Sequence, residues 1–431
     1  MKKTILLTAL FAAVCACARA RRETSMPPPV ANDTVAVPAD TGTTGTTMTK
    51  PRMPRAIVLE GGPTKIAKKG SKKGPGGPHS ATDIERGKDY ATVRIYYATD
   101  RTTTGKTAPA AHFGSGRGSF TRGIAHVTMP RIHRIGNIER PSVWKFEFRE
   151  DPAKHVVLLD VLPQEKRDFY AKLRQSIAQS QKHEAFVFVH GFDNTFEDAA
   201  LRTAQIKYDL AYDGAAILFS WPSLGSSKPF AYTTDENNAE WATRHFRDFL
   251  LELAENSGAA SISVVAHSMG NRVLARAFQQ LPATPQLRFD QVLLTAPDID
   301  VDIFKDLAEA IRRPAGHVTL YVSKNDEALK LSKKVHGYRR AGDSTEGVLV
   351  VDGMETVDVS SVDSSFVGHS YIAENRTVLS DVFCVMRGAA QAARRCRLKE
   401  RRRYWEFVGQ LEDVASLDQY TCMPPGCPFQ P

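Results

Sequence analysis

Five short, almost wholly apolar runs, with helical patterns between them, constrain this sequence more than any other feature. They are 185–189 (Ala-Phe-Val-Phe-Val), 215–220 (Ala-Ala-Ile-Leu-Phe-Ser), 261–265 (Ser-Ile-Ser-Val-Val), 291–295 (Gln-Val-Leu-Leu-Thr) and 317–322 (His-Val-Thr-Leu-Tyr-Val). A strand without polar alternation is buried on both faces, and strands of that kind alternating with helices form a parallel sheet covered on both sides. Helical patterns over 164–181, 195–212, 236–256, 269–280 and 301–312, and another near 371–386, supply the covering layers. Upstream, 92–98, 124–129 and 155–161 read as further strands. The expected fold is α/β, a mostly parallel central sheet with helices on both faces.

The two ends of the chain read differently. Lys2 and Lys3 precede an apolar run from Ile5 to Val14. That run is shorter than the roughly 20 residues a bilayer span needs, so 1–16 reads as an export signal. Val14-Cys15-Ala16-Cys17 resembles a bacterial lipobox, with Cys17 as the lipidated first mature residue; Cys15 is an unusual occupant of that box. Ala18-Arg19-Ala20 offers ordinary small-x-small cleavage instead. The first option expects a lipid-anchored envelope protein, at the outer membrane of a two-membrane cell because Ala18 is not an acidic retention signal. The second expects a secreted or periplasmic one. Residues 17–80, rich in Pro, Thr, Gly and Lys, cannot bury enough surface to offset ordering entropy and read as a flexible tether.

The net charge of +9 comes from two segments, the rest of the chain being net negative. Residues 50–74 hold eight Lys/Arg against one Glu, and 394–403 hold seven against one. Runs of that kind are usually solvated tails, so nucleic acid is not an expected partner. The catalytic domain is expected over 81–387, followed by a basic, Cys-containing extension over 388–431. Cys384, Cys396, Cys422 and Cys427 form an even set that suggests two disulfides of undetermined pairing.

In such a sheet, chemistry gathers just past the C-terminal ends of the strands. After 261–265 comes Ala266-His267-Ser268-Met269-Gly270. A serine on a sharp strand-to-helix turn is held in a strained conformation that exposes its hydroxyl, and small residues two before and two after avoid collision. Ala266 departs mildly from the usual glycine there. A serine hydroxyl needs a base, and His369, in Gly368-His369-Ser370, is the candidate; His267 reads as buried structure and His190 as part of the oxyanion turn. Asp326 follows strand 317–322 and gives the chain order Ser…Asp…His. Asp298 is the alternative acid, while Asp300 suits a helix cap. The oxyanion hole would use the backbone N–H groups of Phe192 and Met269. Trp221 and the segment 230–241 are candidates to line the acyl or alcohol pocket, core packing being the commoner fate of such aromatics.

Val189-His190-Gly191-Phe192, Ser220-Trp221-Pro222-Ser223, the Ser268 pentapeptide, Ala296-Pro297-Asp298-Ile299-Asp300 and Gly368-His369-Ser370 together resemble the α/β-hydrolase superfamily. The resemblance runs from about Tyr90 to Met386 and is greatest with an esterase/lipase-like bacterial branch. It implies hydrolysis of a small-molecule acyl ester through a Ser-His-Asp triad and an acyl-enzyme, with no metal or organic cofactor required. A monomer is the favoured state. An acyltransferase or amidase would use the same triad, and a non-catalytic envelope lipoprotein on a hydrolase scaffold is a third class.

Overall fold

The chain divides into two units, Met1–Pro78 and His79–Pro431. The computed structural model describes residues 83–142, 144, 146–284, 287–362, 374–388, 391–395 and 398–408, all in the second. The expected signal and tether, Cys17, His369, Cys396, Cys422 and Cys427 lie outside the described residues.

Among the described residues, twelve strands form one sheet: β1 (Ile84–Arg86), β2 (Tyr90–Thr103), β3 (Phe113–Pro130), β4 (Leu158–Gln164), β5 (Glu184–Val189), β6 (Ala215–Ser220), β7 (Ser261–His267), β8 (Phe289–Thr295), β9 (Ala315–Val322), β10 (Glu355–Asp358), β11 (Leu398–Arg401) and β12 (Tyr404–Phe407). Their order is β11-β12-β10-β9-β8-β7-β5-β6-β2-β3-β4, with β1 added against β2. Every neighbouring pair from β2 through β6, β5, β7, β8, β9 and β10 to β12 is parallel. Among the described strands, β1–β2, β2–β3, β3–β4 and β11–β12 pair antiparallel.

All six residues of β5 and all six of β6 are buried. Side chains alternate between faces along a strand, and here they feed two cores. Phe186, Phe188 and Leu218 pack with helices α2 (Phe196–Asp209) and α7 (Arg376–Met386) on one face. Val187, Val189, Ile217 and Phe219 pack on the other face with α1 (Lys166–Gln179), α3 (Pro229–Asn256), α4 (Gly270–Gln279) and α5 (Val301–Arg312). The apolar stripe of α5 shows why it lies flat on the sheet: Val301, Phe304, Leu307, Ala308 and Ile311 are its buried residues, at helical spacing. Thr195 opens α2 with a capping box to Asp198, a device worth about 1 kcal/mol.

Several features depart from the sequence reading. Helix α6 (Glu327–His336) follows Asp326 directly, and α3 begins at Pro229, seven residues earlier than its apolar pattern, with proline at the first turn. The sheet also continues past residue 387: β12, from the basic segment beyond it, pairs in parallel with β10. Buried Arg395 pins that segment to the core through Asp381 and Glu355. Cys384 is buried and disulfide-bonded, with its partner outside the described residues.

Between β3 and β4 the chain runs along α2, held there by His133. Its Nδ1 is 2.8 Å from Glu139 and its Nε2 2.8 Å from Asp209. Burial would lower the imidazole pKa, but hydrogen bonds to Asp209 and Glu139 outweigh it and push it up to about 9. The stabilisation is therefore fully present below the ordinary value near pH 6.5 and is lost as pH rises through about 9. Chemical denaturation between pH 6 and 9.5 should show a loss on the order of 3 kcal/mol that His133→Gln abolishes. Parallel slopes for the two proteins would show that the pair does not act this way.

Candidate functional site

The order β7-β5-β6 contains the topological switch. From β5 the chain leaves through α2 on one face of the sheet; from β7 it leaves through α4 on the other. Loops that diverge to opposite faces open a crevice at the carboxyl ends of their strands, the usual ligand position in open α/β sheets. The two segments at this crevice are His190-Gly191-Phe192, after β5, and Ser268-Met269, after β7.

Ser268 is 2% exposed and has φ +52°, a left-handed conformation costing a non-glycine residue about 1–3 kcal/mol. Neighbouring groups hold it there. The Ser268 N–H donates to the Thr295 carbonyl at 2.9 Å. The buried Asn271 amide donates to the carbonyls of Ala266, Ser268 and Thr295 at 3.2, 3.1 and 3.0 Å. Met269 stands at the head of α4, where a backbone N–H has no acceptor one turn back and the helix dipole favours negative charge.

Two glycines let the segments touch. A Cβ on Gly270 would lie 2.4 Å from the His190 carbonyl oxygen. A Cβ on Gly191 would lie 2.7 Å from the Ser268 Cβ and 3.1 Å from His267 Nδ1. Gly191→Ala should therefore push the turn off Ser268 and slow phosphonate labelling of the serine by at least ~100-fold, the usual cost of a shift near 1 Å. An unchanged labelling rate would remove the turn from the site.

The two candidate acids sit in different surroundings. Asp326 is fully buried at the N-cap of α6, where its Oδ1 accepts the Leu329 N–H at 3.0 Å. It follows β9, two strand positions from β7, a lateral offset of roughly 10 Å. Asp298 is one strand closer, and its carboxylate is paired with a buried cation. Arg340 lies 2.9 Å from Oδ1, the Ser332 hydroxyl donates to the same oxygen at 2.7 Å, and the Tyr232 hydroxyl donates to Oδ2. Burial raises the Asp298 pKa, yet Arg340 and the two hydroxyls outweigh it and hold the carboxyl below the ordinary range. Asp300 caps α5 through the N–H groups of Asp302 and Ile303.

His190 and Trp221 belong to the scaffold of the turn. The Trp221 ring is fully buried and stacks on the His190 ring at 5.0 Å. Burial first, and then the Arg101 cation, push the His190 pKa down to about 3, so the imidazole is neutral. Phe192 packs on Tyr232 at 5.2 Å, and Phe230 is exposed. Asn271 and Arg101 carry no short-motif signal and were not among the candidate residues. The one hint of Arg101 is a charged Asp-Arg pair that follows the apolar stretch Ile95-Tyr-Tyr-Ala98 near the end of β2.

No curated protein matches the chain. Among solved structures, an uncharacterized protein from Bacillus cereus ATCC 10987 is similar at 14% identity and a TM-score of 0.26, over 37% of this chain and 51% of that one. The chain thus spans about half of that protein's length. A predicted CIB-like hydrolase from Thermoplasma acidophilum is similar at 15% identity and a TM-score of 0.29, over 48% and 85%. A hyperthermophilic esterase from the archaeon Pyrobaculum calidifontis is similar at 13% identity and a TM-score of 0.28, over 68% and 85%. Residues 165–386 match the family described as alpha/beta hydrolase of unknown function (DUF900), which takes in β5 through α7 with the Ser268 turn at its centre. With half of its length inside that match, and with a mostly parallel sheet whose switch point carries a strained serine, the chain belongs to this α/β-hydrolase family.

Proposed function

We propose that the protein hydrolyses carboxylic esters, with Ser268 as nucleophile, His369 as base and Asp326 as the acid that orients it. The observation carrying this reading is the φ of +52° at Ser268, kept at the switch point by Thr295 and Asn271 with a glycine turn pressed against it. Strain of that kind persists where surrounding structure over-determines it, and at a strand-to-helix turn it presents a hydroxyl for attack.

The steps follow from the chemistry of these groups. The Ser268 hydroxyl attacks the acyl carbonyl while His369 takes its proton, and the carbonyl pair of electrons moves onto oxygen. The N–H groups of Phe192 and Met269 stabilise that oxyanion, at about 3 kcal/mol per donor in well-studied cases. Collapse expels the alcohol, which takes the proton from His369, and water activated by the same base releases the acid. Asp326 suits the orienting role better than Asp298, because a carboxylate already neutralised by a buried guanidinium stabilises an imidazolium poorly. A fluorophosphonate probe, followed by a panel of p-nitrophenyl esters of increasing chain length, tests the reading. Stoichiometric labelling at Ser268 with ester turnover supports it; labelling without turnover of any ester shifts it to acyl transfer or amide cleavage.

We further propose that the domain is held at the cell envelope by lipid on Cys17, through the tether 17–80. Acyl chains contribute about 0.8 kcal/mol per buried CH₂, so more than one chain anchors stably. Cys17→Ser should move the protein to the aqueous phase of a detergent partition with esterase activity unchanged. A native mature N-terminus at Arg21 would instead indicate ordinary cleavage and a soluble exported enzyme.

A further inference from the structure

Arg101, near the C-terminal end of β2, is 1% exposed, and each of its nitrogens is engaged. Nε donates to the Ser220 hydroxyl at 2.8 Å. Nη1 donates to the carbonyls of Ser223 at 2.8 Å and Gly114 at 3.4 Å. Nη2 donates to the Asn194 carbonyl at 2.7 Å and lies 3.4 Å from His190 Nε2. None of these acceptors is a carboxylate. Taking a guanidinium out of water without a contacting counter-ion is costly. Burial pushes its pKa down to about 10, against the pull of Asp100, Asp235 and Asp198, so it remains a cation at neutral pH.

What the cation does there follows from hydrogen-bond polarity. Arginine has no acceptor, so His190 Nε2 must accept from it, and the Ser220 hydroxyl lies 3.2 Å from the same nitrogen. With Nε2 bare, the proton of the neutral ring is on Nδ1, which lies 2.8 Å from the Gly191 carbonyl oxygen and donates to it. That carbonyl belongs to the same planar trans peptide unit as the Phe192 N–H, and the two point in opposite directions. Fixing the Gly191 carbonyl therefore fixes the aim of the Phe192 N–H. A second line reaches the same peptide. Arg101 holds the Asn194 carbonyl, and the Asn194 amide donates to the carbonyls of Phe192 at 2.8 Å and Gly191 at 3.4 Å. Asp193, between them, has φ +58°, so the turn is itself strained and needs such support.

We propose that Arg101 is the positioning residue of the oxyanion peptide, selecting the His190 tautomer and bracing Asn194 so that the Phe192 N–H faces the reacting carbonyl. The proposal rests on the serine-hydrolase reading above and assigns to it a residue that touches no substrate. It also accounts for the burial of a cation behind the turn, where an apolar side chain would have satisfied packing alone.

The test uses the full-length protein and Arg101→Met, Arg101→Lys and Arg101→Ala. Arg101→Met should lower kcat for a p-nitrophenyl ester by about 100-fold or more, the scale of one lost oxyanion donor, with KM within about threefold. Phosphonate labelling should slow in proportion. Arg101→Lys should fall between, since one ammonium cannot reach all these acceptors. Added guanidinium should raise the kcat of Arg101→Ala, which a merely structural role would not produce. Nitrogen NMR of the His190 ring should show protonated Nδ1 in the native protein and a mixed tautomer in Arg101→Met. A folded Arg101→Met with native kcat and labelling rate, or one altered in KM alone, overturns the proposal. If the Arg101 variants do not fold, Ser220→Ala decides: about a tenfold loss in kcat supports the proposal and native kcat overturns it. A native protein that the phosphonate never labels counts against the serine reading, and the tautomer measurement still decides the role of Arg101.

Discussion

Ser268→Ala should abolish ester turnover and covalent phosphonate labelling while leaving the melting temperature near that of the native protein. The expected loss in kcat is on the order of 10⁶, as when the serine of a protease triad is removed, since only oxyanion stabilisation and binding remain. The fold should tolerate the change. The bonds that hold this turn, from the Ser268 N–H to Thr295 and from Asn271 to the carbonyls of Ala266, Ser268 and Thr295, use only backbone groups of residues 266, 268 and 295, and alanine at 268 retains its own. Alanine still has to adopt the left-handed φ, so stability should move by about 1 kcal/mol at most. A variant that labels at the native rate would place the nucleophile elsewhere.

Asparagine substitutions at the two candidate acids should split activity from stability. Asp326→Asn should cost about 10⁴ in kcat, the effect of losing the orienting carboxylate in a protease triad. It should cost little stability, because asparagine caps a helix as well as aspartate does and can still accept the Leu329 N–H. Asp298→Asn should show the reverse. It leaves the buried Arg340 without its counter-charge, for which about 3–5 kcal/mol is typical, while catalysis per folded molecule changes far less. Paired measurements of kcat and urea midpoint read both. If Asp298→Asn loses activity at unchanged stability, the acid belongs on the earlier strand.

Much of this architecture is legible in the letters because burial on both faces leaves a local mark. Strand 215–220 and helix 301–312 stand in the structure where their patterns put them, the first from an unbroken apolar run, the second from apolar spacing behind a capping Asp300. Where the mark is weak, the reading fails. Strand β10, Glu-Thr-Val-Asp, has one apolar residue and exists because β9 and β12 flank it. The short β12 likewise becomes a strand by pairing with β10 on one side and β11 on the other, so a basic segment that reads as an appendage completes the sheet edge.

At the site the division is sharper. Ser268, its small neighbours and the His190-Gly191-Phe192 turn are visible in sequence because a sharp turn and a close approach restrict residue type locally. Two further matters depend on groups far apart in the chain. One is what neutralises Asp298: Arg340 is 42 residues from it, and nothing near either position announces their pairing. The other is what aims the turn: Arg101 reaches His190 and Asn194 across 89 and 93 residues. Sequence by itself determined the layered α/β class and the serine turn, because periodicity and steric restriction act between neighbours in the chain. Only the tertiary structure decided the charge state and direction of the groups around that serine, because burial and electrostatic pairing act between neighbours in space.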